Sequence, residues 1–387
     1  MRFASFHPLR DGVLVLAAAV LAVPAVSAAG NSWDCSDSNN YVRRNLVADE
    51  AGKAEHVDPE LINPWGIAFN PFGAVWISDN GTGFSTLYDG NGIKQSLVVT
   101  IPSPPGDTEK GKPTGIVFNG SNDFVISQGA ASGPARFIFA TEQGTLAAWA
   151  PNVDPTHALL IPGTVGSGAI YKGLALAGNG MGLHLYATDF HNAKIDVFNS
   201  SFAPVRLSGS FTDPNIPKGF APFGIQNING SIFVTYAKQD ADREDDVAGA
   251  GFGYVSIFDT NGKFVRRLVS KGKLNAPWGL ALAPATFGKF GSHLLVGNFG
   301  DGRINAYDLI EGDFEGTLRL ANGSIFQVDG LWGLSFGNGV SAQPTDTLFF
   351  TAGPGDEMHG LYGRLDLKPG CSPGFAPTGL VPAPESE

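Results

Sequence analysis

The chain has 387 residues, 52 of them glycine and 26 proline, with 16% charged residues and only two cysteines. Its formal charge of −11 argues against nucleic acid or anionic lipid as a partner. Abundant glycine and proline beside many aromatics suit short strands joined by turns, and although the length alone would allow two or three domains, a regular repeat overrides that prior.

Residues 1–29 read as a signal peptide. Arg2 and Arg10 precede an apolar run from Val13 to Val23, and Val26-Ser27-Ala28 offers a small-x-small cleavage site. No later apolar stretch is long enough for a second anchor, so the mature protein is expected to be secreted or periplasmic, off the membrane and monomeric. Residues 30–370 are expected to form one domain, and residues 371–387 a flexible C-terminal tail. Cys35 and Cys371 lie just outside the two ends of the repeat region, and in an oxidising compartment an even pair is expected to form a disulfide.

Six glycines open six similar segments: Trp65-Gly66-Ile67, Thr114-Gly115-Ile116, Lys172-Gly173-Leu174, Phe223-Gly224-Ile225, Trp278-Gly279-Leu280 and Trp332-Gly333-Leu334, at spacings of 49, 58, 51, 55 and 54 residues. A strand-rich repeat of this length predicts an all-β, six-bladed β-propeller with four-stranded blades. The first blade reads as Gly66–Asn70, Ala74–Ser78, Ser85–Tyr88 and Ser96–Ile101, separated by Asn-Gly, Asp-Gly and Gly-x-Gly turns. The sixth repeat runs out of strand after Leu367. Its missing outer strand is expected from Tyr41–Val47, which has strand character and no blade of its own, so that the N-terminus closes the ring.

Blade strand order assigns faces. The loop entering each innermost strand and the loop between the second and third strands share one face. That face carries Trp65, Thr114, Lys172, Phe223, Trp278 and Trp332 at the axis. Around them lie Asp79 and Asn80, Gln128, Asp189 and His191, the 237–253 insertion, Asn298 and Asp301, and Asp356, Glu357 and His359. Trp65, Lys172, Phe223, Trp278 and Trp332 are candidate ligand contacts at the channel mouth; tryptophans there equally serve to plug the channel. Asp189, His191, Asn298, Glu357 and His359 are a candidate divalent-metal or acid–base set. The run Gln239–Asp246 is rich in carboxylates and is a candidate for calcium or for a solvated charge run. His184 and His293 read as structural residues on the opposite face, and His56 and His157 have no evident partner. The Asn-x-Ser/Thr sites at Asn80, Asn119, Asn199, Asn229 and Asn322 read as turns. No nucleophile elbow, P-loop or His-Glu-x-x-His is present.

The segments Asn63-Pro64-Trp65-Gly66-Ile67-Ala68-Phe69, Leu185-Tyr186-Ala187-Thr188-Asp189-Phe190, Asn275-Ala276-Pro277-Trp278-Gly279-Leu280-Ala281 and Gly297-Asn298-Phe299-Gly300-Asp301-Gly302-Arg303 carry a resemblance to a family of exported bacterial proteins, over about Tyr41 to Leu367. More distantly the repeats resemble NHL and gluconolactonase-like propellers, and the latter imply calcium held in the channel by Glu, Asn and Asp. Two functions follow as expectations. One is a secreted module binding a small molecule, carbohydrate or protein on the tryptophan face. The other is a metal-dependent, lactonase-like hydrolase or lyase.

Overall fold

The computed structural model describes residues 38–368. The proposed signal peptide, the Cys35–Cys371 pair and the 371–387 tail lie outside the described residues.

Six blade sheets follow one another in chain order, each with a first blade strand carrying one of the repeat glycines, and all are antiparallel except that the sixth also holds a short parallel pair between Tyr41–Ala48 and His56–Val57. Blade 1 is Pro64–Phe69, Val75–Asp79, Phe84–Tyr88 and Lys94–Thr100. Blades 4 and 5 repeat this plan from Phe220–Ile228 and Pro277–Leu282. In blade 6, Leu331–Phe336, Leu348–Ala352 and Leu361–Leu367 take Tyr41–Ala48 as outer strand, with Tyr41 opposite Leu367 and Ala48 opposite Leu361. The N-terminus therefore closes the ring, and Tyr41 stacks on Phe287 of blade 5 at 4.6 Å while its hydroxyl donates to the Phe287 carbonyl.

The repeat glycine owes its place to close approach. In every blade the pairing of the innermost strand slips at that glycine, a bulge that turns the chain toward the axis. A methyl group there would meet the next blade's backbone: 2.4 Å from the Thr114 carbonyl at Gly66, 2.0 Å from the Trp278 carbonyl at Gly224, 2.5 Å from the Trp332 carbonyl at Gly279 and 2.7 Å from the Trp65 carbonyl at Gly333. Threonines of the second strands stitch the same contact. Thr351 receives the Gly333 N–H and donates to the Trp65 carbonyl, and Thr188 does the same between Gly173 and the Phe223 carbonyl. The second strands are buried on both faces, as in Val75–Asp79 and Leu348–Ala352, because each blade packs between two neighbours.

Two blades depart from the plan. Blade 3 has three strands, Tyr171–Gly178, Leu183–Asp189 and Lys194–Asn199. After the Phe198–Pro204 bridge and one bond from Val205 to Val197, the chain leaves the sheet edge. Phe211 instead packs against Tyr186 and Phe258, and its backbone bonds the Gly262 turn of blade 4. Blade 2 runs Pro113–Phe118, Phe137–Thr141, Leu146–Trp149 and Leu159–Leu160, with a hairpin, Val125–Gln128 and Ala131–Pro134, inserted after its first strand. Gln128 therefore belongs to that hairpin on the opposite face. The loop on the mouth face of blade 2 carries Glu142 instead.

Candidate functional site at the axial mouth

Beneath the mouth the aromatics pack as a plug. Trp65 and Trp332 stack at 3.5 Å, Trp278 meets both edge-on, and Phe299 stacks on Trp332 at 4.0 Å. Trp65 and Trp332 are each 1% exposed, Trp278 is 9% and Phe223 is 0%. Their ring faces are spent on one another, and only a cavity of about 50 Å³ remains among the glycines of the innermost strands.

Over this plug lies a connected polar network. The Lys172 side chain, 1% exposed, places its ammonium 2.5 Å from Glu142 Oε1, 3.0 Å from Asp245 Oδ1 and 5.0 Å from the Trp65 ring centre. Glu142 Oε2 accepts from Asn80 Nδ2 at 2.9 Å. Asn63 Nδ2 donates to Glu357 Oε2 at 2.6 Å and to Asn80 Oδ1 at 3.4 Å, while Asn63 Oδ1 accepts from the Trp332 indole. The Trp278 indole donates to the Lys172 carbonyl. Backbone strain marks the same residues: Asn63, Asp356 and Glu357 have φ of 46°, 52° and 65°, the left-handed region that non-glycine residues rarely occupy.

The charges respond to this setting. Burial alone would lower the Lys172 pKa, but the facing Glu142 and Asp245 carboxylates hold it above the usual lysine range. Burial pushes Glu142 up, yet the Lys172 ammonium and the Asn80 amide leave it below the usual glutamate range. Burial raises Glu357, partly offset by the Asn63 bond. Asp246 is pushed up to about 7 by burial, Lys172 pulling it down and Glu357 and Asp245 adding to the rise. Its Oδ2 is sealed from solvent and has no partner among the described residues, and neither has the Trp65 indole nitrogen.

Four of the five candidate metal ligands bond separate partners through their side chains. Asp189 accepts from the backbone N–H groups of Ile170 and Asn192 and from the Asn192 side chain. Asn298 donates to the Lys273 carbonyl and to Asp301. His359 Nδ1 faces Asp49 at 2.9 Å in a rim pocket, which raises its pKa above the ordinary histidine value. Glu357 alone joins the central network. The fifth, His191, accepts from the Gln239 side chain through its backbone carbonyl, and its ring Nδ1 is buried with no partner among the described residues. Among the described residues no three His, Cys, Asp or Glu side chains converge as a metal-ligand group, and the carboxylates at the mouth surround the Lys172 ammonium. This arrangement does not fit a channel-bound divalent cation. Elsewhere His157 pairs with Asp154, and His184 and His293 contact the carbonyls of the residues two before them. Asn119, Asn199 and Asn322 accept from their own turns.

Two uncharacterised proteins of Acanthamoeba polyphaga mimivirus are 37% and 36% identical to the chain over 330 residues. The alignments span 83% of this chain and 78% and 84% of theirs. The chain belongs to their family. These relatives are viral, whereas the resemblance in the sequence was to bacterial proteins. No family model matches the chain. Among solved structures, a streptogramin B lyase aligns over 85% of this chain and 98% of its own, with a TM-score of 0.50 and 12% identity. A protein assigned as a gluconolactonase aligns over 86% and 94%, with a TM-score of 0.51 and 12% identity. At that identity the likeness is one of fold, a β-propeller, and carries no activity with it.

Proposed function

We propose that the protein is a ligand-binding propeller that takes a small polar molecule carrying a positive charge at the axial mouth. The observation that carries the reading is the sealed, unpartnered carboxyl oxygen of Asp246 beside the Lys172 network. Glu142, Asp245 and Glu357 outnumber the Lys172 ammonium even while Asp246 holds its proton, and low-dielectric walls focus such an excess of negative charge. The tryptophans support the site from below, with the unpartnered Trp65 indole as a donor, rather than offering a stacking face. The reading includes export to the periplasm or exterior as a monomer, with Cys35 and Cys371 joined. Its support is the N-terminal apolar run and the placing of the two cysteines at the ends of the repeats. The test is a calorimetric comparison of glucosamine and other small amines with glucose. Amine binding that weakens about tenfold or more in Glu357→Gln supports the proposal. Equal behaviour of amine and sugar, or no effect of the variant, sinks it.

A second reading, an acid–base hydrolase or lyase, draws on the pKa of about 7 at Asp246, which suits proton transfer at neutral pH. Turnover of a lactone panel, lost in Asp246→Asn, would favour it over simple binding.

A further inference from the structure

On the face opposite the mouth, blades 1 and 2 leave a groove of about 560 Å³ between them. Its walls are Trp76, Phe118, Phe137, Trp149 and Leu97. Trp76 stacks on Phe137 at 3.9 Å, and Trp149 lies 4.7 Å from Trp76 at a tilt of 50°. Phe72, on the turn beside it, is 88% exposed, an apolar ring left uncovered by the described residues. Among the described residues lining the groove, Arg136 is the only charged one.

Arg136 is a product of the blade 2 insertion. The hairpin is closed at its base by the Asn119 N–H bonding the Arg136 carbonyl, and the buried Asn119 side chain ties down Asp123 and Ala135. Arg136 Nη1 is in turn anchored by the carbonyls of Ser121 at 2.8 Å and Asn119 at 3.3 Å. Its Nη2 and Nε have no partner among the described residues. A guanidinium fixed by one nitrogen, with the N–H donors of the other two left over at the edge of an aromatic groove, is prepared for a carboxylate.

We propose that this groove is a second binding site, separate from the mouth, for a small aromatic carboxylate. The exposed Phe72 and the half-buried Leu97 and Phe118 take the ligand's aromatic body, over a floor made by the buried Trp76, Phe137 and Trp149, and Arg136 takes its carboxylate. The volume suits a ligand of that size.

The test is calorimetric titration of the full chain with naphthoate and with naphthylmethanol, its neutral counterpart. Naphthoate is expected to bind at least ~10-fold more tightly, as an ion-assisted hydrogen bond requires. Arg136→Gln should remove that preference. Because Arg136 also anchors its own loop, Leu97→Glu is the companion variant: it leaves those contacts intact and repels the carboxylate from the opposite wall. Equal binding of the two probes by the unaltered protein, no saturable naphthoate binding, or naphthoate binding unchanged in both variants overturns the proposal.

Discussion

Asp246 carries a carboxyl oxygen sealed from water with no donor facing it among the described residues, and that has a thermodynamic signature. Its carboxyl titrates at about 7 in the folded protein, against about 3.9 for an unfolded aspartate. Between those limits the folded state holds the extra proton, so stability falls as pH rises from ~4 to ~7 and levels off above. Asp246→Asn cannot ionise. It is expected to erase that slope and to be more stable than the parent above pH 7, with the two converging near pH 4, as read by urea unfolding across pH. Parallel profiles for parent and variant would contradict the assignment. The partners of this residue were unevenly legible. The 237–253 insertion and Lys172 could be assigned to the mouth by strand order alone. Glu142 could not while Gln128 was placed in the mouth-face loop of blade 2. Counting back from the aromatic that ends the third strand, Trp149, would have moved the turn to Glu142-Gln143-Gly144. Asn63 stood in plain view before Pro64-Trp65, but no spacing rule links it to Glu357, which reaches it across the gap between blades 6 and 1.

At the scale of the element, the glycine that opens each blade does more than mark a repeat. It lets six innermost strands meet backbone to backbone, and that contact was not visible in the periodicity. Gly279→Ala is expected to lose about 1–3 kcal/mol, since its added carbon would sit 2.5 Å from the Trp332 carbonyl and force blades 5 and 6 apart. Gly163→Ala, with open space around it, is the control and should unfold like the parent in thermal melts. The missing outer strand of blade 3 was also illegible. The sequence after Asn199 has the composition of any other loop, and what removes it from the sheet is a long-range contact, Phe211 with blade 4. Local propensity at Pro204 only permits that departure.

For the whole molecule, stability rests on a ring whose last seam joins the two ends of the domain. Tyr41 sits on that seam, fully buried between blades 5 and 6. Tyr41→Ala should cost roughly 3–5 kcal/mol, the usual toll for emptying a buried aromatic site. Chemical denaturation followed by tryptophan fluorescence and by circular dichroism should then give separated transitions, where the parent gives one. Coincident transitions in the variant would mean that the remaining blades hold together without the seam.

The seam also puts an order in time on the birth of the protein. Tyr41–Ala48 is among the first segments of the domain to leave the ribosome, and its partner Leu361–Leu367 is the last strand made. At ~5–20 residues per second, tens of seconds separate them. Throughout that interval the first-made strand has only the two-residue strand His56–Val57 to pair with, and the nascent propeller stands open at its closing seam. For this chain, elongation rate and the company kept by an unpaired strand become determinants of yield, independent of how stable the finished ring is.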